Sequence, residues 1–361
     1  MGPVPLRRLG IAVIAALALL LAACGSDDGT AGDEGERTTT TTTPPSPDRS
    51  TPEGPGDIRP TEDLELIPRL VRELQPSVVA VLTDEGEGSG VVYAEDGTVV
   101  TNNHVIEGAD EIRVAFADGD RVDAEVRATD PRSDLAVLRV DREDLPPAPF
   151  AGELPEVGEL AVAMGNPLGF ENSVTAGIIS GLHRAIPGSA SENPALVDLV
   201  QTDAPISPGN SGGALLDAGG EVVGINVAYI PPGETGAVSI GFAIPSPTVV
   251  DVVDQLLDTG EVRYPFLGVT PQAVTPQIAE RLDLGTEEGV IVQSVVPGGP
   301  ADDAGMEPGD VIVGLDERPL RTVEDFLVEL REFAPGDEVT VEVVRDGDRQ
   351  SFDLRLSERP D

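Results

Sequence analysis

The 361-residue sequence contains no tryptophan and no lysine, one cysteine, two histidines and only 3% aromatic residues. Each scarcity excludes something. Without large aromatic side chains the cores must be filled by Val, Ile, Leu and Ala, which favours short β-strands over large helical bundles. A single cysteine rules out an intramolecular disulfide. The 23 basic residues, all arginine, face 65 acidic ones, for a formal charge of −42. Such a surface repels phosphate, so nucleic acid is excluded as a partner, and so is electrostatic adhesion to anionic lipid. The acidity reads either as a highly solvated, salt-adapted surface or as a calcium-binding one. No stretch has the regular oxygen-ligand spacing of a calcium loop, which favours the first. The length allows two domains, each able to build its own core.

A long apolar run occurs only at the N-terminus. Arg7 and Arg8 precede an almost wholly apolar stretch from Leu9 to Ala23, and Leu21-Ala22-Ala23-Cys24 puts small residues before the only cysteine. The run is short for a bilayer span. Residues 1–23 resemble a bacterial lipoprotein signal peptide, which implies that Cys24 is lipidated and anchors the chain to the outer face of the cell membrane. The alternative is an uncleaved N-terminal anchor. Two acyl chains hold a protein stably where one is marginal. Residues 24–60 contain the Thr38–Thr43 tract, Pro44-Pro45 and further Pro, Gly, Asp and Glu. So polar a segment cannot offset its ordering entropy and reads as a disordered tether, spanning roughly 30–35 Å as a coil.

From 61 to 258 the pattern changes. Leu64, Ile67, Leu70, Val71 and Leu74 fall at helical spacing, with Pro68 as an interruption. Short Val/Ile-rich runs then alternate with Gly/Asp/Asn/Pro turns from Val78 to Ile244, the rhythm of an all-β barrel or sandwich. Pro247 to Leu257 reads as an amphipathic helix presenting Val249, Val250, Val253, Leu256 and Leu257.

Within this region Gly209-Asn210-Ser211-Gly212-Gly213 suits a nucleophile loop. A serine hydroxyl must be exposed, held by a tight turn and placed beside a base. Flanking glycines supply the turn, and the backbone at Gly209, Asn210 and Ser211 can form an oxyanion hole. His104 follows the β-branched run Val99-Val100-Thr101, where a strand gives way to a turn. Asp134 stands immediately before the apolar run Leu135–Leu138 and can accept from an imidazole Nδ1–H. His183 lacks such a setting and reads as a loop residue. His104, Asp134 and Ser211 thus form the candidate catalytic set, and the chemistry needs no metal or organic cofactor.

Thr101-Asn102-Asn103-His104-Val105, Asp134-Leu135-Ala136-Val137-Leu138 and Gly209-Asn210-Ser211-Gly212-Gly213 resemble the catalytic segments of the HtrA (Deg) family of serine proteases. Gly88-Ser89-Gly90-Val91, Ala163–Pro167, Gln201–Ala204 and Gly241–Pro245 do so too. The resemblance implies an all-β, chymotrypsin-like double barrel and ATP-independent proteolysis of misfolded or damaged proteins outside the cytoplasm. It further implies an S1 pocket near Ile206, Tyr229 and Ile240 and a homotrimer. It also implies that loops at Gly165–Phe170 and Tyr229–Val238 reorder on activation.

Residues 259–361 carry a different, α+β rhythm. Phe266-Leu267-Gly268-Val269, Pro300–Met306 and Pro308-Gly309-Asp310-Val311-Ile312 resemble a PDZ domain. In such domains backbone N–H groups at Phe266, Leu267 and Gly268 would receive the carboxylate of a hydrophobic C-terminal peptide. Asp316-Glu317-Arg318-Pro319 departs from the pattern, which often has Gly second, and predicts a turn of different shape. A second reading is a holdase that captures unfolded chains in the peptide groove without cutting them.

Overall fold

The computed structural model describes residues 65–166, 173–186, 196–230, 240–282, 284, 286 and 288–360. Cys24, the signal-like segment and the tether lie outside the described residues, as do most of the Gly165–Phe170 and Tyr229–Val238 loops. The described residues fall in one compact unit.

Helix α1 (Leu66–Leu74) opens the described chain and buries Leu70 and Leu74. Pro68 is its third residue, in the first turn, where a backbone N–H has no intrahelical acceptor. The proline is therefore accommodated in the first turn and does not interrupt the helix. Six antiparallel strands then close a barrel: β1 (Val78–Thr83), β2 (Glu87–Ala94), β3 (Thr98–Asn102), β4 (Ile112–Ala115), β5 (Arg121–Asp130) and β6 (Leu135–Val140). A four-residue helix, α2 (Asn103–Ile106), follows β3. A second barrel is built from β7 (Leu160–Gly165), β8 (Ser173–Arg184), β9 (Leu199–Thr202), β10 (Ala214–Leu216), β11 (Val222–Ile230) and β12 (Ile240–Pro245). Both barrels have the same cyclic order, β1-β2-β3-β6-β5-β4 in the first and β7-β8-β9-β12-β11-β10 in the second. This is the chymotrypsin-like architecture expected from the sequence.

Strand alternation explains the long valine runs. Val79, Val81, Val92, Val99 and Leu138 fill the first barrel. Their neighbours Val78, Val91, Val100 and Val137 point the other way and join Met164, Leu216, Ile225 and Phe242 of the second barrel in one shared core. Strands buried on both faces read as continuous apolar runs rather than alternating ones. Ala161, Ala163, Ala204 and Ala243 line the second barrel with Ile179, Val200 and Leu215, so small side chains replace the missing aromatics there.

Helix α3 (Ser246–Asp258) packs on β5 and β6 of the first barrel and on β11 and β12 of the second. Its buried face is Val249, Val252, Val253 and Leu256. Val252 takes the place predicted for Val250, because positions i, i+3, i+4 and i+7 from Val249 lie under one stripe.

The C-terminal segment comprises β13 (Pro265–Phe266), β14 (Val269–Ala273), α4 (Pro276–Leu282), β15 (Val290–Val295), α5 (Pro300–Ala304), β16 (Val311–Leu315), β17 (Arg318–Pro319), α6 (Val323–Arg331), β18 (Glu338–Arg345), β19 (Asp348–Arg355) and β20 (Ser357–Glu358). One sheet runs β14-β15-β16-β18-β19 with β17 on β16, and β13 pairs with β20. The core gathers Leu267, Val292, Ile312, Leu315, Phe326 and Val341. In the Asp316-Glu317 turn Asp316 itself adopts φ +51. It is clamped to Thr340 by N–H to carbonyl at 2.7 Å and by Oδ1 accepting the Thr340 N–H at 2.8 Å, which removes the need for glycine.

Helix α6 begins with a capping box, Thr322 Oγ1 accepting from Asp325 N–H while Asp325 reaches back to Thr322 N–H. Thr322→Ala is expected to cost about 1 kcal/mol. Phe326→Ala, 2% exposed in the same helix, is expected to cost about 3–5 kcal/mol. Urea unfolding checks both, and equal losses would contradict this description of the helix.

Candidate active site

Asp134 occupies the end of the β5–β6 turn at φ +57, a left-handed conformation that Asp tolerates better than most side chains. Every acceptor of the residue is then used. Its main-chain carbonyl accepts from Asn102 Nδ2 and from Asn103 N–H, both at 3.0 Å. Its carboxylate takes the His104 main-chain N–H on Oδ1 at 2.9 Å and meets His104 Nδ1 through Oδ2 at 2.7 Å. The strand β3 ends and α2 begins at this point, so the imidazole is aimed by both its side chain and its own backbone. The Asp134 side chain is 6% exposed and that of His104 40%. The carboxylate is thus shielded from water while the imidazole stays open to a ligand.

Ser211 lies on the other side of the same rim. Its carbonyl accepts from Ser89 N–H of β2 at 2.8 Å. A Cβ on Gly88 would stand 2.6 Å from Val105 Cγ1 and 3.2 Å from the Ser211 carbonyl oxygen. The residue after His104 and the serine therefore flank one point on β2, where only glycine leaves room. The Ser211 hydroxyl donates to the Val227 carbonyl at 3.2 Å.

The serine loop is a chain of tight turns. Gly209 and Gly212 have φ +95 and +82. Asn210 N–H donates to Ser207 O and Gly213 N–H to Asn210 O, at 2.9 and 3.0 Å. The Asn210 N–H therefore closes the turn and is not aimed at the site predicted for an oxyanion. A Cβ on Gly212 would approach the Ser89 carbonyl to 2.1 Å, so the loop rests directly on β2. Asn226 completes the seat, accepting Gly212 N–H on its carbonyl and donating Nδ2 to Ala214 O, at 2.8 and 2.9 Å.

Ser89, fully buried, was not singled out individually in the sequence. Its hydroxyl donates to the Gly209 carbonyl at 2.6 Å and accepts Asn166 N–H at 2.8 Å. Its carbonyl accepts from Thr101 Oγ1 at 2.7 Å. One serine thus pins the peptide plane after Gly209 to the end of β7. The available signal is its flanking glycines, since Gly88 and Gly90 mark a strand that other atoms approach closely.

His183, read as a loop residue, instead belongs to the end of β8 at φ +53, with Nδ1 2.7 Å from Asp198 Oδ1. Ile206 is buried after β9 and packs where a Cβ of Gly241 would stand, 2.8 Å from its Cδ1. Tyr229 pairs with Gly241 across the β11–β12 ladder, and Ile240 begins β12. The three predicted pocket residues therefore gather at one end of the second barrel.

In the C-terminal segment Leu267 is buried and Gly268 has φ +87. Their carbonyls accept from Ala301 N–H at 2.9 Å and Val296 N–H at 2.8 Å. Phe266, Leu267 and Gly268 line a cavity of about 270 Å³ with Phe326, Leu327 and Leu330 of α6. Strand β14 is the edge of its sheet beside this cavity. Among the described residues no cluster of His, Cys, Asp and Glu is arranged to hold a metal.

Residues 88–225 match the trypsin-like peptidase domain and residues 265–356 the PDZ domain. The chain is 41% identical over 278 residues to a probable periplasmic serine endoprotease DegP-like of Hahella chejuensis, covering 76% of this chain and 58% of that protein. A protein of the same description from Pseudomonas fulva is 40% identical, with 76% and 56% covered. The chain spans a little over half the length of these curated relatives. Among solved structures, the HtrA-type protease AlgW with tripeptide superposes with a TM-score of 0.69 at 36% identity, covering 81% of this chain and 97% of that one. A serine endoprotease of Yersinia pestis gives 0.61 at 32% identity, with 81% and 98% covered. The chain belongs to the HtrA family of serine proteases, with a trypsin-like peptidase domain followed by one PDZ domain.

Proposed function

We propose that the chain is a serine endopeptidase that cleaves misfolded or damaged polypeptides outside the cytoplasm without ATP. The observation that carries this reading is the pair of hydrogen bonds from one residue, His104, to one carboxylate, Asp134, on the rim that also bears Ser211. With Nδ1–H donated to Asp134, the lone pair on Nε2 is the base. The Ser211 hydroxyl, now directed to Val227 O, must be redirected to Nε2 for its proton to be taken as Oγ attacks a peptide carbonyl. The imidazolium then returns that proton to the leaving amine, and water repeats the cycle on the acyl-enzyme. Main-chain N–H groups of Gly209 and Ser211 would hold the oxyanion. Ser89 fixes the Gly209–Asn210 peptide that lies between these two donors by holding the Gly209 carbonyl.

Ile206, Tyr229 and Ile240 would shape an S1 pocket for small or aliphatic P1 residues. The groove between β14 and α6 would take a hydrophobic C-terminal peptide as an added strand, its carboxylate received at Phe266, Leu267 and Gly268. A signal peptide over residues 1–23, lipidation at Cys24 and a tether over 24–60 would hold residues 61–258 and 259–361, the protease and PDZ domains, clear of the membrane. Relatives described as periplasmic support the extracytoplasmic setting. The homotrimer implied by the family resemblance would be read from the molar mass in solution.

A fluorophosphonate probe separates this function from a non-cutting holdase: labelling at Ser211 supports the peptidase, and its absence in the presence of C-terminal hydrophobic peptides supports the holdase. Ser211→Ala is expected to lower casein hydrolysis by on the order of 10⁶-fold. Asp134→Asn, which leaves the shape but releases the tautomer, is expected to cost on the order of 10⁴-fold. Gly212→Ala forces a side chain against the Ser89 carbonyl and is expected to cost about 10²-fold by displacing Ser211; an active Gly212→Ala protein would show that the loop has another seat. The pH profile of kcat/KM is expected to fall on the acid side as His104 takes up a proton, and a profile flat into acid would exclude an imidazole base.

A further inference from the structure

The β5–β6 turn that presents Asp134 is also held from outside the barrels. Asp130, the last residue of β5, is 7% exposed. Its Oδ2 accepts Ser133 N–H at 2.9 Å and the Ser133 hydroxyl, which fixes the turn one residue before Asp134. The same oxygen accepts the phenol of Tyr264, 134 residues further along the chain. Tyr264 stands directly before β13, in the segment that runs through Phe266, Leu267 and Gly268 into the peptide groove.

We propose that Tyr264 is a positioning residue of the hydrolytic site, its phenol holding Asp130 and thereby the turn that seats Asp134 against His104. This rests on the reading of Ser211, His104 and Asp134 as a catalytic set. Several contacts make the phenol a firm strut. Burial first, and then the Asp130 carboxylate, push its pKa well above the ordinary tyrosine range, so the group remains a donor. The Tyr264 carbonyl accepts Arg359 N–H at 2.9 Å, fixing the backbone behind the ring. The Arg132 guanidinium, in the turn itself, lies 5.6 Å from the ring centroid and donates to Pro360 O at 3.3 Å. The turn is therefore gripped by side chain and backbone from the C-terminal segment. Any shift of Tyr264 is passed to a carboxylate that has no water shell to absorb it.

The sharing extends to charge. Arg132, Arg331 and Arg359 line the cavity that also contains Phe266 and Gly268. Burial, and then the like charge of Arg132, push the Arg359 guanidinium below its ordinary pKa. One wall of the peptide groove is thus made by the turn that carries Asp134.

The test uses the full chain as wild type, Tyr264→Phe, Asp130→Asn and the double variant. Active sites are titrated to completion with fluorophosphonate, so that kcat is expressed per competent site and loss of folded protein drops out. With labelled casein as substrate, each single variant is expected to lose about 10-fold in kcat with KM within about two-fold, because orientation of the base acts in the transition state. The double variant is expected to lose no more than the worse single one, since both remove the same strut. Unchanged kcat per titrated site in Tyr264→Phe, even with a lowered melting temperature, would reduce Tyr264 to a structural residue and overturn the proposal. Multiplicative losses in the double variant would overturn it equally. A wild type that fluorophosphonate does not label at Ser211 would remove the catalytic reading itself, and this proposal with it.

Discussion

The double hydrogen bond between Asp134 and His104 constrains more of this molecule than any other contact. A buried carboxylate is costly unless its lone pairs are satisfied. Here Oδ1 and Oδ2 are taken by the main chain and the ring of the same histidine. For that to happen β3 must end where it does, α2 must start at once, and Asp134 must accept a left-handed backbone. Asn102 and Asn103 then use the Asp134 carbonyl to lock two strand ends together. The first barrel can be regarded as the frame for this one junction.

The second barrel supplies the serine under a complementary constraint, which is close approach. Gly88, Gly165, Gly212 and Gly213 each have a neighbouring atom under 3.0 Å from the place a Cβ would occupy. The serine loop, β2 and the end of β7 interpenetrate so tightly that backbone meets backbone, with Ser89 as the polar pin between them. A sequence poor in aromatics is suited to this. Its cores are layers of Val, Ile, Leu and Ala that bring strands close.

What could be read in the sequence was what depends on neighbours along the chain. Pro247 at the start of a helix and the valine runs of the barrels announce themselves within a few residues. The sequence also singled out His104, Asp134 and Ser211, because each residue type has few roles at a strand edge and the family-like segments surround them. Contacts across space were hidden. The Ser89 hydroxyl meets Gly209, 120 residues away, and Tyr264 meets Asp130 at a separation of 134. No local pattern marks a hydroxyl as the partner of a distant carbonyl. His183 is a similar case: its pairing with Asp198 and its place in β8 at φ +53 are not announced by side-chain type alone.

Proton transfer at this site depends on the tautomer of one ring. Because the chain has only two histidines, nitrogen-15 spectra of histidine-labelled protein can be assigned by replacing His183 alone. At neutral pH His104 should show a protonated Nδ1 and a bare Nε2, and replacing Asp134 with Asn should abolish that preference. A proton found on Nε2 of His104 in the unmodified chain, with Nδ1 bare, would contradict the seating of the imidazole on which every step above relies.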